Sequence, residues 1–133
     1  MATINRKVRT FTDLNLTFDK HPLTADVLTR VDDDAVKNSI KNLVLTKNFE
    51  RPFHPEIGSQ VTNLLFENFT PITVELVKKT IITVISTYEP RARLIDVRVA
   101  ETNDPNEIAI TIEFMTINTT RPITVTTFLY RVR

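Results

Sequence analysis

The residues whose chemistry is most pointed are Glu89 and Arg91, which flank Pro90 directly behind a long stretch of helical periodicity. A carboxylate beside the negative end of a helix is disfavoured, so something must compensate Glu89. Pro90 biases Glu89 out of helical geometry, and in extended chain residues 89 and 91 point the same way, giving a rigid pair of opposite charges. Two readings stand at this point: a local ion pair at a helix stop, or a charged pair held ready for another protein. Glycoside hydrolysis is a third use of carboxylates and needs two of them about 5 to 9 Å apart, one retaining its proton. An arginine beside Glu89 stabilises the charged form instead. The chain also lacks tryptophan for a sugar cleft. Only His21 and His54 are present, with no cysteine, so no zinc-ligand spacing exists. Gly58 is the sole glycine, which rules out glycine-rich phosphate loops and dinucleotide fingerprints.

Composition narrows the classes further. With 133 residues, 41% hydrophobic and 25% charged, the sequence predicts one ordinary globular domain over residues 1–133. Seventeen basic against 16 acidic side chains leave a net charge of +1, too small a field to hold nucleic acid or an anionic membrane. No apolar run approaches the ~18 residues of a membrane span, and the start Met-Ala-Thr-Ile-Asn-Arg-Lys has no apolar signal core.

The elements that must position these residues follow from periodicity. Leu14, Leu16 and Phe18 share one parity and predict a short strand within a partly extended N-terminal arm, residues 1–30. Asp32, Asp33 and Asp34 offer an N-cap to a helix carrying Val36, Ile40, Leu43 and Val44 and ending near Thr46. The stretch Arg51-Pro52-Phe53-His54-Pro55-Glu56-Ile57-Gly58 reads as a shaped loop. Its simplest account is structural: proline stiffness, a buried phenylalanine anchor and a permissive glycine, with His54 solvated. Val61, Leu64, Leu65 and Phe69 fit a short helix stopped by Pro71, with Leu65 and Phe69 in the core and Phe66 the exposed anchor. Val77, Ile81, Val84, Ile85 and Tyr88 form the stripe of a third helix over about 74–88, with Lys78 and Lys79 on its solvated side.

Past Pro90 the period becomes two. Ile95, Val97 and Val99 share one face, as do Ile108, Ile110, Ile112 and Phe114, and a third strand begins at Ile123. In that strand the apolar parity shifts from Ile123 and Val125 to Phe128 and Tyr130, which predicts a bulge or a second buried surface. The fold class is therefore α+β: three helices followed by a three-stranded antiparallel β-meander, with a short N-terminal strand.

The spacing Arg51-x-Phe53-x-Pro55-x-x-Gly58, then Leu65-Phe66-Glu67, then Glu89-Pro90-Arg91 behind a helix, resembles the baseplate wedge and sheath-initiator family of contractile phage tails. Its cousins serve in type VI secretion baseplates. The likeness covers about residues 33–100, and the three motifs together are specific where the tripeptide alone is weak. It implies a structural subunit without catalytic residues, cofactor, metal or small-molecule substrate, whose Glu89, Pro90 and Arg91 hold it to the helical core bundle of the larger wedge proteins. It further implies partners among the other baseplate wedge proteins and the tail sheath protein, with no nucleic acid and no membrane. The expected location is the tail baseplate of the virion, after assembly in the host cytoplasm.

Two further surfaces are candidates. Arg51, Phe53, Pro55, Gly58 and Phe66 form a candidate loop contact. Ile123, Thr124, Val125, Thr126, Thr127 and Phe128 form a candidate edge facing the sheath, where unpaired backbone groups template the first sheath ring. Two other classes compete with this reading. Members of the family have been described as tail lysozymes, and a bacterial anti-adaptor of similar fold is a cytoplasmic regulator.

Overall fold

The computed structural model describes residues 10–131. The first nine residues of the predicted arm, and Val132 and Arg133 of the predicted last strand, lie outside the described residues. Two short strands, β1 (Thr12–Leu14) and β2 (Thr29–Val31), pair antiparallel ahead of helices α1 (Asp33–Leu45), α2 (Val61–Leu64) and α3 (Pro71–Tyr88). Strands β3 (Ala92–Glu101), β4 (Glu107–Thr116) and β5 (Ile123–Tyr130) follow as an antiparallel meander in that spatial order. The class is α+β, with three helices before the meander as predicted. The N-terminal feature is a two-stranded ribbon and not a single strand.

The ribbon departs from its apolar parity for a local reason. The Phe18 amide donates to the Asn15 carbonyl at 3.0 Å, and Phe18 adopts φ 53°, so the chain turns immediately after Leu14. Leu14, Leu16 and Phe18 all remain exposed. Asn15 is the buried residue of this turn, and its side-chain oxygen accepts from Arg30 Nε at 3.2 Å.

Helix α1 buries Val36, Ile40, Leu43 and Val44 as their spacing demands. Its N-terminus is built differently from the expected cap. Asp32 makes no capping bond and its carboxylate accepts the Phe11 amide at 3.1 Å, while Asp33 accepts the Thr116 and Thr119 hydroxyls at 2.7 and 3.2 Å. The acidic run thus ties α1 to Phe11, just before β1, and to the end of β4. Helix α3 starts three residues earlier than predicted, because Pro71 sits in its first turn, where its missing N–H is no loss. The Thr70 hydroxyl caps the Thr73 amide at 3.2 Å.

Helix α2 is shorter than predicted, four residues from Val61 to Leu64. Leu65 is buried as expected, but Phe69 lies beyond the helix and stays 40% exposed. Phe66, predicted to be the exposed member, is 53% exposed.

The helices pack on one face of the meander. Ile40, Val44, Ile81 and Ile85 meet Val97, Ile110, Ile112 and Phe114 in one apolar cluster. Strand β4 alternates without a break, the signature of the central strand of a sheet with one solvated face. Strand β3 does not. A register shift between Leu94 and Asp96 turns Ile95 outward, so Leu94 replaces it beside the core and Ile95 is 46% exposed. Strand β5 pairs with β4 in unbroken register. The predicted bulge is absent. Thr127 takes the buried position and Phe128 and Tyr130 lie on the solvated face. A threonine at a core position hides the true parity, because its hydroxyl reads as polar while its shape suits a strand.

Gly58 fixes the base of the loop between α1 and α2. A β-carbon there would stand 2.8 Å from the Lys47 carbonyl carbon and oxygen, and the residue adopts φ 153°. Gly58→Ala is expected to lower folding stability by about 2 kcal/mol or more, measured by urea unfolding, since both the clash and the backbone angle oppose it. An unchanged midpoint would show that the loop relaxes freely.

Candidate functional site

Three segments of the chain, residues 11–13, helix α1 and the α3–β3 connection, meet at the predicted charged pair. Helix α3 ends at Tyr88, and its C-cap residue Glu89 is buried, 2% exposed as a residue. Two residues on, Arg91 leads into β3 and reaches back to Glu89 with Nε–Oε1 at 2.6 Å and Nη2–Oε2 at 2.9 Å. Its far edge meets Asp13 of β1, Nη1–Oδ1 at 3.0 Å and Nη2–Oδ2 at 3.1 Å. Ser39 of α1 donates its hydroxyl to Glu89 Oε2, and the Phe11 ring lies 5.4 Å from the guanidinium carbon. One arginine therefore clamps two carboxylates in paired geometry and stacks on an aromatic face.

The hydrogen bonds that Arg91 donates to Glu89, and then to Asp13, push its pKa above the ordinary value, so the guanidinium is charged at any working pH. Glu89 has both oxygens engaged by donors and carries no free face for a substrate. The mutual orientation of residues 89 and 91 is the predicted one. Their surface exposure is not: the pair is an internal strut joining α1, α3 and β1, with the Glu89 side chain only 3% exposed.

The clamp borders an open groove of about 570 Å³ between the ribbon, α1 and the 47–59 loop. Asp13 and Ser39 belong to both clamp and groove, while Leu14, Leu16, Leu45 and Arg51 line its flanks. The exposed Leu14 and Leu16, unexplained by the ribbon's own packing, are thus walls of this groove.

The remaining sequence candidates separate into three places. Arg51, Phe53 and Pro55 are exposed on the loop above the groove, and Gly58 is buried at the loop's base. Phe53 is 95% exposed, which overturns its reading as a buried anchor. Phe66 projects from the turn after α2. On β5, which contributes nothing to the groove, Thr124, Thr126 and Phe128 are exposed, Val125 and Thr127 buried and Ile123 half-buried.

Sequence reasoning missed Asp13, Ser39 and Phe11. Phe11 and Asp13 share one parity two residues apart, and a serine one position before core residue Ile40 is a polar break in the α1 stripe. Those were the available signals. Among the described residues no group of three or more His, Cys, Asp or Glu is placed to hold a metal ion. No helix among them is long and apolar enough to cross a membrane.

Comparison with known proteins completes the picture. Residues 30–121 match the family model described as baseplate wedge protein gp25. The baseplate wedge protein gp25 of Enterobacteria phage T4 is 34% identical over 84 residues, covering 63% of this chain and 64% of that relative. The match thus spans less than two thirds of the relative's length. Among solved structures, a chain of the anti-feeding prophage baseplate superposes with a TM-score of 0.65 at 21% identity, over 93% of this chain and 88% of that one. A Geobacter sulfurreducens chain provisionally called a tail lysozyme gives 0.68 at 20% identity, over 74% and 89%. A chain of a type VI secretion baseplate complex gives 0.61 at 17%, over 74% and 92%. At these identities the superpositions establish a shared fold.

Proposed function

This chain belongs to the family of baseplate wedge protein gp25, and from that membership we propose that it is a structural subunit of a contractile tail baseplate, acting as a single wedge domain. The observation that carries the proposal is the span of the family match, which takes in the 47–59 loop, α3 and Glu89-Pro90-Arg91 together. Two surfaces divide the work. The groove beside the Asp13–Arg91–Glu89 clamp receives the other wedge proteins, and the open edge of β5 receives the sheath. The tail baseplate of the virion is the corresponding location.

In this reading the tripeptide acts by shaping the groove. Arg91 holds β1 against α3, and with β1 come Leu14 and Leu16, the apolar wall a partner covers. Leu14 is 58% and Leu16 50% exposed, so Leu14→Glu with Leu16→Glu is expected to leave the folding stability within about 0.5 kcal/mol of the parent. Incorporation into purified wedges should fall by about tenfold or more, since two charges would be desolvated against the partner. Undiminished incorporation would remove the groove from the docking surface.

The same reading expects the protein at a fixed ratio to other baseplate subunits in mass spectra of purified particles. Absence from the particle favours a cytoplasmic regulator. It also expects no hydrolysis of peptidoglycan by the purified chain, because the buried carboxylate Glu89 is bound on both oxygens inside the clamp. Turnover abolished by Glu89→Gln in folded protein would reinstate the hydrolase reading suggested by the name of the Geobacter relative.

A further inference from the structure

The 47–59 loop is a firmly built object with an exposed apolar tip. Its base is closed by Ser59, whose amide donates to the Thr46 carbonyl at 2.8 Å and whose hydroxyl donates to the Val44 carbonyl at 2.6 Å. Gly58 lets the returning strand lie against the backbone of Lys47. Higher up, the Phe49 amide donates to the Pro55 carbonyl at 2.9 Å, and the Tyr88 hydroxyl of α3 donates to the Glu56 carbonyl at 2.9 Å. At the top stand Phe49, 83% exposed, and Phe53, 95% exposed.

Both phenylalanines adopt φ 68°, a left-handed backbone that bulky side chains rarely take. Two residues in strained backbone, each turning an aromatic ring into water, bury almost none of that apolar surface in the isolated chain. Strain and exposure of this kind collect where a surface is preorganised for a partner. Because the loop is fastened in advance, a partner would meet it without paying to order it.

The charges around the tip say what that partner carries. Both acids of the loop are engaged internally: Glu50 accepts the Lys47 amide at 2.9 Å, and Glu56 lies 3.2 Å from His54 Nδ1. Arg51, between the two phenylalanines in sequence, is exposed and has no partner among the described residues. Glu50, Arg51 and Ile57 also line the groove, so the tip is continuous with the docking surface proposed above.

We propose that Phe49 and Phe53 form an aromatic prong that inserts into an apolar recess of a neighbouring baseplate protein, with a carboxylate at the rim of that recess meeting Arg51. The inference rests on the baseplate reading and adds to it a second contact beyond the groove. It predicts a hot spot of aromatic and arginine character flanked by the leucine wall of the groove.

The test uses the full chain and the purified wedge subcomplex formed by the remaining baseplate proteins of its own tail. Phe49→Ser with Phe53→Ser should weaken binding about tenfold or more while the unfolding midpoint holds or rises. Arg51→Glu should weaken binding similarly, and Arg51→Lys should recover part of it. A photoreactive phenylalanine analogue placed at position 53 should cross-link to one apolar segment of a wedge protein that contains Asp or Glu. Unchanged affinity in the double variant overturns the proposal, and retained sensitivity to Leu14→Glu with Leu16→Glu in the same assay would show that the groove reading survives alone. Cross-linking to a second copy, with concentration-dependent self-association lost in the double variant, overturns it in favour of a homodimer contact. Tip-dependent binding to vesicles of phosphatidylcholine and phosphatidylglycerol overturns it in favour of a lipid surface.

Discussion

Glu89→Ala is expected to lower the folding stability of the isolated chain by about 3 to 5 kcal/mol, read as a fall in its urea unfolding midpoint. For a solvated ion pair the expectation would be about 0 to 1 kcal/mol, because water screens both charges and competes for both partners. Burial decides between the two. The Glu89 side chain is 3% exposed and that of Arg91 23%, so neither charge finds much water when the other is removed. Alanine at position 89 strips Arg91 of two hydrogen bonds and leaves the Ser39 hydroxyl without its acceptor. Asp13 still holds the other edge of the guanidinium. Arg91→Ala is the harsher change, since it leaves the buried Glu89 carboxyl with the Ser39 hydroxyl as its one remaining partner among the described residues.

A double-mutant cycle sharpens the expectation. Glu89→Ala combined with Arg91→Ala should cost less than the sum of the single changes, because the second substitution removes the charge that the first had orphaned. Additive losses would mean that the clamp is solvated in solution and that the pair acts independently. The consequence for assembly assays is direct. Failure of either alanine variant to enter wedges would report lost folding as well as lost docking, so the groove is better probed at exposed Leu14 and Leu16.

How much of this was legible in the sequence depends on the range of the interaction that decides each element. Helices α1 and α3 and strand β4 were legible because their apolar period repeats over three or more turns or pleats, and local pattern sufficed. The β1–β2 ribbon was not. Its strands have three residues each, and their pairing joins Thr12 to Val31 across a long turn that no local period records. Ile95 and Thr127 failed for a shared reason: a bulge shifts one strand by a residue, and a buried threonine imitates a polar position, so parity misassigns the face in both. The charged pair itself was visible from Pro90 and the helix stop. Its burial was hidden, because Asp13 and Ser39 lie 78 and 50 residues away in sequence from the groups they bind. Phe53 misled in the other direction. Hydrophobic type predicts burial on average, and nothing in the local pattern marks Phe53 as standing in a left-handed turn with its ring in water.

Proline substitution along β5 is expected to divide sharply by parity, and the division tests the proposed sheath edge. Among the described residues, strand β5 is the outer strand on its side of the meander. Just past its end the Arg131 amide donates to the Asn106 carbonyl at 2.6 Å. In an antiparallel ladder this alternates, so odd-numbered residues of β5 turn their backbone groups toward β4 and the even-numbered ones toward the open edge. Thr124→Pro and Thr126→Pro therefore remove N–H groups that have no partner in β4, at exposed positions where the ring meets no core atom. Val125→Pro and Thr127→Pro each delete a ladder bond and place the ring among buried residues, an expected loss of about 3 kcal/mol or more. The opposite edge is a poor alternative template. There the shift between Leu94 and Asp96 breaks the repeat, the Asp96 carboxylate takes the Val97 amide at 2.8 Å, and Arg93 and Arg98 add charge. If sheath subunits extend this sheet by adding a strand to β5, the folded Thr124→Pro and Thr126→Pro variants should enter wedges normally yet fail to start a sheath, scored by electron microscopy of assembled tails. Circular dichroism and urea unfolding establish first which variants fold. Sheath of normal length from both outward variants would rule out strand addition at β5 and move the sheath contact to another surface, of which the ribbon at Leu14 and Leu16 is the next with exposed apolar side chains and backbone at an edge.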